Sequence, residues 1–282
     1  MEHSGRYGAI DGVASLRKWS INEGYTTQKS VASNTKSGTN RNKGIYDWTG
    51  SYSAFGSVPA AMPGETLSLS AYKSPSAAGL TSAGDIFSGT ILVTQVAITW
   101  DFKTNAPISH EVQFGGDGAL TMTTGALITD ASTVEEEPPC LGKIVTFSGS
   151  ETRIPHVTQA VLTFTREAKT SVNSGTSAGS GACLTARRPG AAIDWTLAIT
   201  TEDGNENTVL ASGSILNFRC YVDGTDYWDL KWGLMGQRSG LTVDRESGNI
   251  IGQTHNAEMK GFNAGTVGHI KKPGEVTAWW PV

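Results

Sequence analysis

Hydrophobic and polar residues alternate along much of the chain, and this period of two predicts β-strands. The cleanest run covers residues 66–72, where Leu67, Leu69 and Ala71 share one face. A second run, over residues 90–102, is long enough to cross a whole sheet. The other predicted strands cover residues 15–22 and 48–55, and one more begins at residue 112.

Helical patterns are rare in this sequence. Residues 76–87 are rich in small side chains and predict one short helix, although glycines interrupt it. Composition also favours sheet and turn, because glycine contributes 34 of 282 residues and charged residues only 17%, below the usual quarter. We therefore predict a mainly β fold whose weakly charged surfaces are covered by partners.

The stretch from residue 121 to residue 140 differs from its surroundings, because it carries three consecutive glutamates followed by Pro138-Pro139. An acidic run before two prolines suits an extended connector better than a strand or a helix. The sequence thus predicts a first β domain, a linker, a second β domain and a C-terminal arm. Their bounds are residues 1–130, 131–140, 141–268 and 269–282.

The two halves of the chain share short motifs, which predicts a tandem duplication. Asp47-Trp48-Thr49 recurs 147 residues later as Asp194-Trp195-Thr196. We expect Trp48 and Trp195 to anchor equivalent strands and to be buried, because a large aromatic side chain dominates the packing of a half-buried strand. At the same spacing Glu111 recurs as Glu258, and Gly118 recurs as Gly265.

A long polar stretch rich in Gly, Ser and Asn precedes the shared motif in each half, at residues 26–45 and 167–192. Such stretches have little apolar surface to bury, so we predict loops that become ordered through contact with other subunits. The second stretch also contains the G-x-S-x-G pattern of hydrolases, with Ser177 at its centre. No apolar strand leads into that serine, so the pattern does not predict a nucleophile.

The sequence contains no arrangement of side chains that predicts catalysis. His110 and His255 lack the spacing of a metal-binding or acid-base pair and are interpreted as surface residues. Asp223, Asp226 and Asp229 lack the ligand spacing of a calcium loop, so they predict a turn. We expect no catalytic residue, no cofactor and no metal, and we predict that the protein is not an enzyme.

Charge and targeting signals restrict the possible partners. The formal net charge is −4 and the isoelectric point about 5.8, which argues against a protein that wraps a phosphate backbone. No apolar run is long enough for a transmembrane helix, and the first residues lack the features of a secretory signal. The three cysteines share no C-x-x-C spacing and are interpreted as reduced packing thiols in a protein made in a reducing cytosol.

Motifs of the first half follow one another in an order typical of a known family. Residues 5–23 (GRYGAIDGVASLRKWSINE) are followed by YDWTGSY at 46–52 and PGETLSL at 63–69. The strand SGTILVT at 88–94 comes next, and VQF at 112–114 leads to GAL at 118–120. Over about residues 5–122 this order resembles the major tail tube proteins of long-tailed bacteriophages and their relatives in contractile tails and secretion tubes. The second half resembles them only through the internal repeat.

The resemblance implies two tandem β-sandwich or open-barrel domains of tail-tube type, each with at most one short helix. In that family six domains form a ring and stacked rings form a tube for DNA, so three chains of a fused pair would build a pseudo-six-fold ring. The implied partners are other copies of this chain and other virion tail proteins, with no membrane, and DNA passes through the lumen without specific binding. The implied location is the virion tail, assembled in the host cytoplasm.

The resemblance also implies contact surfaces. The family's loop between its second and third strands reaches toward the next ring and corresponds here to about residues 26–45 and 167–192. We expect the C-terminal arm to dock on a neighbouring subunit, with packing on its own second domain as the alternative. Channel-facing side chains should be small, polar or acidic, and residues 66–72 and 90–102 are the predicted lining strands. The predicted interface residues are Ser33, Asn34, Lys36, Asn40, Arg41, Asn42, Ser177, Arg187, Arg188, Trp279 and Trp280.

Two other functions remain open at this point. A capsid decoration protein, or another head-associated structural protein, can use the same β-sandwich. A carbohydrate-binding module can use exposed tryptophans as stacking platforms for sugars. Electron microscopy, capsid binding and glycan binding distinguish the three functions.

Overall fold

The computed structural model describes residues 2–5, 7–10, 13, 15–30, 40–72, 84–125, 140–178, 182–202, 208–236, 253–260 and 270–275. These residues form fifteen β-strands and one short turn of 3-10 helix at Thr208–Leu210, so the fold is mainly β, as predicted. The strands of the first half are β1 (Glu2–Gly5), β2 (Tyr7–Ile10), β3 (Ser15–Ser30), β4 (Asn40–Phe55), β5 (Thr66–Tyr72), β6 (Gly84–Asp101) and β7 (Ser109–Gly125). The strands of the second half are β8 (Ile144–Ser148), β9 (Ser150–Arg153), β10 (Val157–Ala178), β11 (Ala182–Thr201), β12 (Ile215–Tyr221), β13 (Tyr227–Met235), β14 (Gln253–Met259) and β15 (Ile270–Lys271).

The runs predicted from the alternating pattern lie within β3 to β7, apart from Phe102, and β5 has the predicted bounds. The pattern did not predict β1 and β2, and the other strands are longer than their predicted parts. The helix predicted over residues 76–87 is wrong in its described part, because Gly84–Phe87 belong to β6 and pair with β7. Residues 76–83 lie outside the described residues. Residues 121–125 form the end of β7, and of the predicted linker, residues 131–140, only Cys140 is described.

The two halves share one strand order. Neighbouring strands run β3-β4-β7-β6-β5-β2 in the first half and β10-β11-β14-β13-β12-β8 in the second. Each order begins with a long hairpin, which we call the first arm (β3 and β4) and the second arm (β10 and β11). Trp48 and Trp195 lie on the second strand of their respective arms, and both are buried, as predicted.

The repeat spacing of 147 residues does not extend to the glutamates. Thr49 lies opposite Gly115, whereas Thr196 lies opposite Glu258. Glu258 therefore corresponds to Gly115 and not to Glu111, because the chain between the two paired strands is shorter in the second half. Gly265 lies outside the described residues. A tandem duplication stays a prediction, which the shared strand order favours.

One sheet and one hydrophobic core join the two halves. β6 pairs with β10 over Gln95–Asp101, and β11 pairs in parallel with β4. The indole of Trp100 donates to the Tyr221 carbonyl at 3.0 Å, and the indole of Trp228 donates to the Ser57 carbonyl at 3.1 Å. The predicted division into domains 1–130 and 141–268 stays a prediction. The buried residues of the two segments belong to one hydrophobic cluster.

The described parts of the two stretches predicted as loops are strands. Residues 26–30 and 40–45 belong to the first arm, and residues 167–178 and 182–192 belong to the second arm. The remaining residues, 31–39 and 179–181, are not described. The loop prediction is wrong for the described part because the two strands of each hairpin satisfy each other's backbone hydrogen bonds without needing apolar side chains.

Candidate assembly surfaces

Each arm carries a buried tryptophan that packs directly on a glycine of another strand. The indole of Trp48 covers Gly116 so closely that a Cβ at this glycine would overlap the ring. Trp48 is fixed there because its Nε1 donates to the Gly118 carbonyl at 3.0 Å. The edge of the Trp195 indole lies close to Gly233 of β13, beside Phe218. The two tryptophans thus attach the arms to the rest of the sheet.

Arg187 links the second arm to the first half. Its Nη2 lies 2.7 Å and 2.8 Å from the two carboxylate oxygens of Asp47. Its Nη1 donates to the carbonyls of Trp48 and Gly116, and its backbone N–H donates to Asp117 at 2.9 Å. We predicted Arg187 as a subunit-interface residue, and in this chain it is a nearly buried side chain whose contacts are internal.

Asp47 and Asp194 have the same local role in the two arms. Each carboxylate Oδ1 accepts the backbone N–H of the tryptophan that follows, at 2.9 Å for Asp47 and 2.8 Å for Asp194. Their surroundings differ, because Asp47 is paired with Arg187 while Asp194 is exposed. The repeated Asp-Trp motif is therefore a structural element, and only its first copy has an ionic partner within the described part of the chain.

The sheet presents one polar face, which extends from the first half into the second. We define it by three rows of side chains that lie opposite one another across neighbouring strands, none of them fully buried. The rows contain two carboxylates, Glu111 and Glu258, and no Lys or Arg, but Lys18 of β3 lies opposite Ser53 at the end of the first row, and Asp194 lies opposite Thr165 at the end of the second. The first row is Ser53, Glu111, Ala97, Thr163, Thr196 and Glu258; the second is Ser51, Gln113, Gln95 and Thr165; the third is Ser109, Thr99, Val161, Ala198 and Asn256.

A cluster of charged and aromatic side chains joins the β8–β9 hairpin to β12. The guanidinium of Arg219 lies 3.7 Å from the ring centroid of Phe147, and it donates to Glu151 at 2.8 Å. The hydroxyl of Tyr221 donates to the same carboxylate at 2.6 Å. The Tyr221 bond, and after it the Arg219 bond, hold the pKa of Glu151 below its ordinary value of 4.5. Burial and the bond to Glu151 raise the pKa of Tyr221 to about 12.

Replacing Glu151 by glutamine should make stability less dependent on pH in the acid range. A carboxyl whose pKa is lower in the folded chain contributes stability above its ordinary value of 4.5, and this contribution is lost as the pH falls through the folded pKa. We expect Glu151→Gln to be less stable than the wild type at pH 7 and to approach it below pH 4. Urea unfolding across this range measures the difference. Glu167→Gln, at an exposed position of the second arm, controls for the loss of one surface charge.

The other predicted interface residues are placed as follows. Arg188 is exposed on β11, and Ser177 lies on β10 opposite Cys183. Asn40, Arg41 and Asn42 form the start of β4 in the first arm. The structure thus brings Arg187 to a contact between the two halves, and it places Ser177 and the three β4 residues toward the far ends of the arms. Ser33, Asn34, Lys36, Trp279 and Trp280 lie outside the described residues.

The start of the C-terminal arm packs on its own chain. Ile270 and Lys271 form β15, which pairs with Leu230 and Asp229 of β13, and Ile270 is buried. This part follows the fold-back alternative, because the edge of β13 offers backbone partners within the same chain. Residues 276–282 are not described, and docking of this last part on another subunit stays a prediction.

The histidines and Asp223, which were considered for catalysis or metal binding, lie in the core or in a turn. His110 and His255 are buried, so their interpretation as surface residues is wrong. His110 lies on the same face of β7 as the buried Val112 and Phe114, and His255 lies on the same face of β14 as the buried Ala257. Asp223 accepts the backbone N–H groups of Thr225 and Asp226 at 2.6 Å and 2.7 Å, which confirms the predicted turn.

Within the described ranges, no three His, Cys, Asp or Glu side chains are grouped for a metal ion. No helix among these residues has the length and apolar character needed to span a membrane.

Comparison with models of known protein families gives no match for this chain. A search of curated proteins gives no significant match either.

Proposed function

We propose that this protein is a structural subunit of a phage-type tail tube, in which copies form rings and the rings stack into a conduit for DNA. The polar face carries this proposal. It crosses six strands from both halves with small, polar or acidic side chains apart from Val161, and its rows contain no Lys or Arg; Lys18 of β3 lies just beyond the first row, opposite Ser53. A surface along which DNA slides has to avoid basic side chains, because Lys and Arg bind phosphates and would retain the DNA.

Two further features support the proposal. The shared strand order gives each chain two similar units, so three chains would supply the six units of a ring. The long arms offer extended surfaces for neighbouring subunits. In this proposal the protein acts without catalysis or a cofactor in the virion tail, is assembled in the host cytoplasm, and contacts other virion tail proteins.

The polar face changes the choice of lining strands. β6 contributes to it through Gln95, Ala97 and Thr99, in agreement with the choice of residues 90–102. β5 contributes no residue to the three rows, so it is not part of the proposed lining. The proposed lining strands are β4, β7, β6, β10, β11 and β14.

We expect the purified chain to form hollow tubes, visible by negative-stain electron microscopy. The central test is a basic substitution on the polar face, Thr163→Lys with Thr196→Lys, which lie opposite each other. Tubes of this variant, assembled with linear duplex DNA, should keep DNA in the sedimented fraction, whereas wild-type tubes should release it. The matched control is Ser150→Lys with Thr152→Lys on β9, where all four residues are exposed.

Three outcomes would contradict the proposal. Wild-type tubes that retain DNA would show that the face is not a sliding surface. Binding to purified capsids without tube formation would favour a capsid decoration protein. A soluble monomer that binds glycans would favour a carbohydrate-binding module.

A further inference from the structure

A pocket lies where the β8–β9 hairpin meets the end of β6. Its volume is about 480 Å³, which falls in the range of roughly 300–1,000 Å³ that small-molecule sites occupy. Much of its lining is apolar, and the side chains that supply this part are Phe102, Ile144, Ile154, Pro155 and Val157. Ile144 and Ile154 are buried whereas Pro155 is exposed, so the pocket has an apolar interior and an accessible mouth.

Three basic side chains, Lys143, Arg153 and His156, line the same pocket. The described residues of its lining include no Asp or Glu. Lys143 is held in place, because its ammonium lies 3.4 Å from Glu151 and 4.3 Å from the ring centroid of Tyr221. Arg153 and His156 are exposed, and no carboxylate in the described part of the chain pairs with either of them.

Backbone hydrogen bonds fix the walls of the pocket. The N–H of Phe102 donates to the Thr158 carbonyl at 2.9 Å, which ties the end of β6 to β10. His156 has a left-handed backbone with φ of 55°, and its carbonyl accepts the Glu202 N–H at 2.9 Å. The pocket is therefore formed without a ligand, so binding would require little ordering of the chain.

We propose that this pocket binds a small organic anion with an apolar body. The Arg153 guanidinium donates hydrogen bonds to the carboxylate, sulfonate or phosphate group of the ligand, with the His156 ring beside it. The apolar body lies against Ile144 and Ile154, where it is removed from water. The inference goes beyond the tube function and does not depend on it, because the residues that line the pocket lie outside the three rows of the polar face.

A nucleic-acid backbone suits this pocket less well than a small anion. Proteins bind such a backbone through many phosphates spread along a basic surface. Here the basic side chains are few and lie beside an apolar interior, which a phosphate chain would leave unfilled. Duplex DNA is therefore used as a competitor in the test.

The probe for the test is 8-anilinonaphthalene-1-sulfonate, a sulfonate on an aromatic body whose fluorescence rises in apolar surroundings. A titration of the full chain should saturate at one probe per chain. Arg153→Gln should bind the probe at least about tenfold more weakly. Arg153→Lys, which keeps the charge, should bind it more tightly than Arg153→Gln.

Arg188→Gln is the matched control, because Arg188 is also an exposed arginine on a strand and its loss changes the net charge equally. This variant should bind the probe as the wild type does. Thermal unfolding of all three variants should match the wild type, since both positions are exposed.

Competitors test the two parts of the ligand separately. Naphthalene-1-sulfonate carries both the anion and the apolar body, so it should displace the probe. Methanesulfonate lacks the body and 1-naphthol lacks the charge, so neither should displace the probe at the same concentration.

Four results would overturn the site: probe affinity of Arg153→Gln equal to that of wild type, binding that does not saturate, displacement by methanesulfonate or 1-naphthol as effective as that by naphthalene-1-sulfonate, and displacement by duplex DNA. The two proposals fail separately. Specific binding of the probe by a chain that never forms hollow tubes would support the pocket and contradict the tube. Hollow tubes from a chain that binds no probe would do the reverse.

Discussion

Replacing Gly116 by alanine is expected to lower the free energy of unfolding by about 3 kcal/mol, at the upper end of the usual cost of overpacking. The added Cβ would fall within the indole of Trp48. That ring cannot move aside, because it donates to the Gly118 carbonyl and packs edge-on against Phe114. The strand itself is also held, since the Gly116 carbonyl accepts Arg187. Urea unfolding followed by tryptophan fluorescence measures the loss.

Gly24→Ala is the matched control, because Gly24 also lies in a long strand. A Cβ at Gly24 would have no atom within 4 Å, and the residue is exposed. We expect its stability to stay the same or to rise by about 0.5–1 kcal/mol, since alanine restricts the unfolded chain. Equal stability of Gly116→Ala and the wild type would contradict the close packing of Trp48 on β7.

Replacing Arg187 by methionine is expected to cost about 2–4 kcal/mol of stability. Methionine preserves most of the apolar stem but no donor, so the buried carbonyls of Trp48 and Gly116 each lose a hydrogen bond. Asp47 contributes less to the cost, because its side chain is 44% exposed and water can replace the guanidinium. Urea unfolding at pH 7 measures the difference.

Arg188→Met provides the comparison for this variant. Arg188 is the next residue on the same strand and is exposed, so its loss should change stability by no more than about 0.5 kcal/mol. Equal changes in the free energy of unfolding for Arg187→Met and Arg188→Met would contradict a stabilising role of the contacts that Arg187 makes with the first half.

The sequence predicted well those strands that have one buried face. In β5, Leu69 and Ala71 face the core while Ser68 and Ser70 do not, so the period of two marks the element clearly. The distal parts of the arms carry no such signal, because polar residues occupy both faces there. Their strands depend on backbone pairing across the hairpin, and residue type does not encode which segment lies opposite.

The candidate surfaces were predictable only in part. Trp48 and Trp195 followed from a repeated motif and the general burial of large aromatic residues. The Arg187–Asp47 pair could not be predicted, because the partners are 140 residues apart and no local pattern identifies such a distant contact. Similarly, His110 and His255 were assigned to the surface because spacing alone does not reveal that their strand positions face the core.

The short strand β1 determines how the repeat is completed. Gly5 of β1 lies opposite Trp19 of β3, where in the second half Trp100 of β6 lies opposite Ala160 of β10. In each half, the first strand of the set of six (β3 or β10) pairs along its outer edge with a strand from outside that set, as in donor-strand complementation. The strand that pairs with β10 is β6 of the first half. Separating the two halves would therefore leave the backbone N–H and C=O groups along this edge of β10 without a partner strand. The strand order shared by the two halves therefore does not by itself complete the backbone pairing of either half.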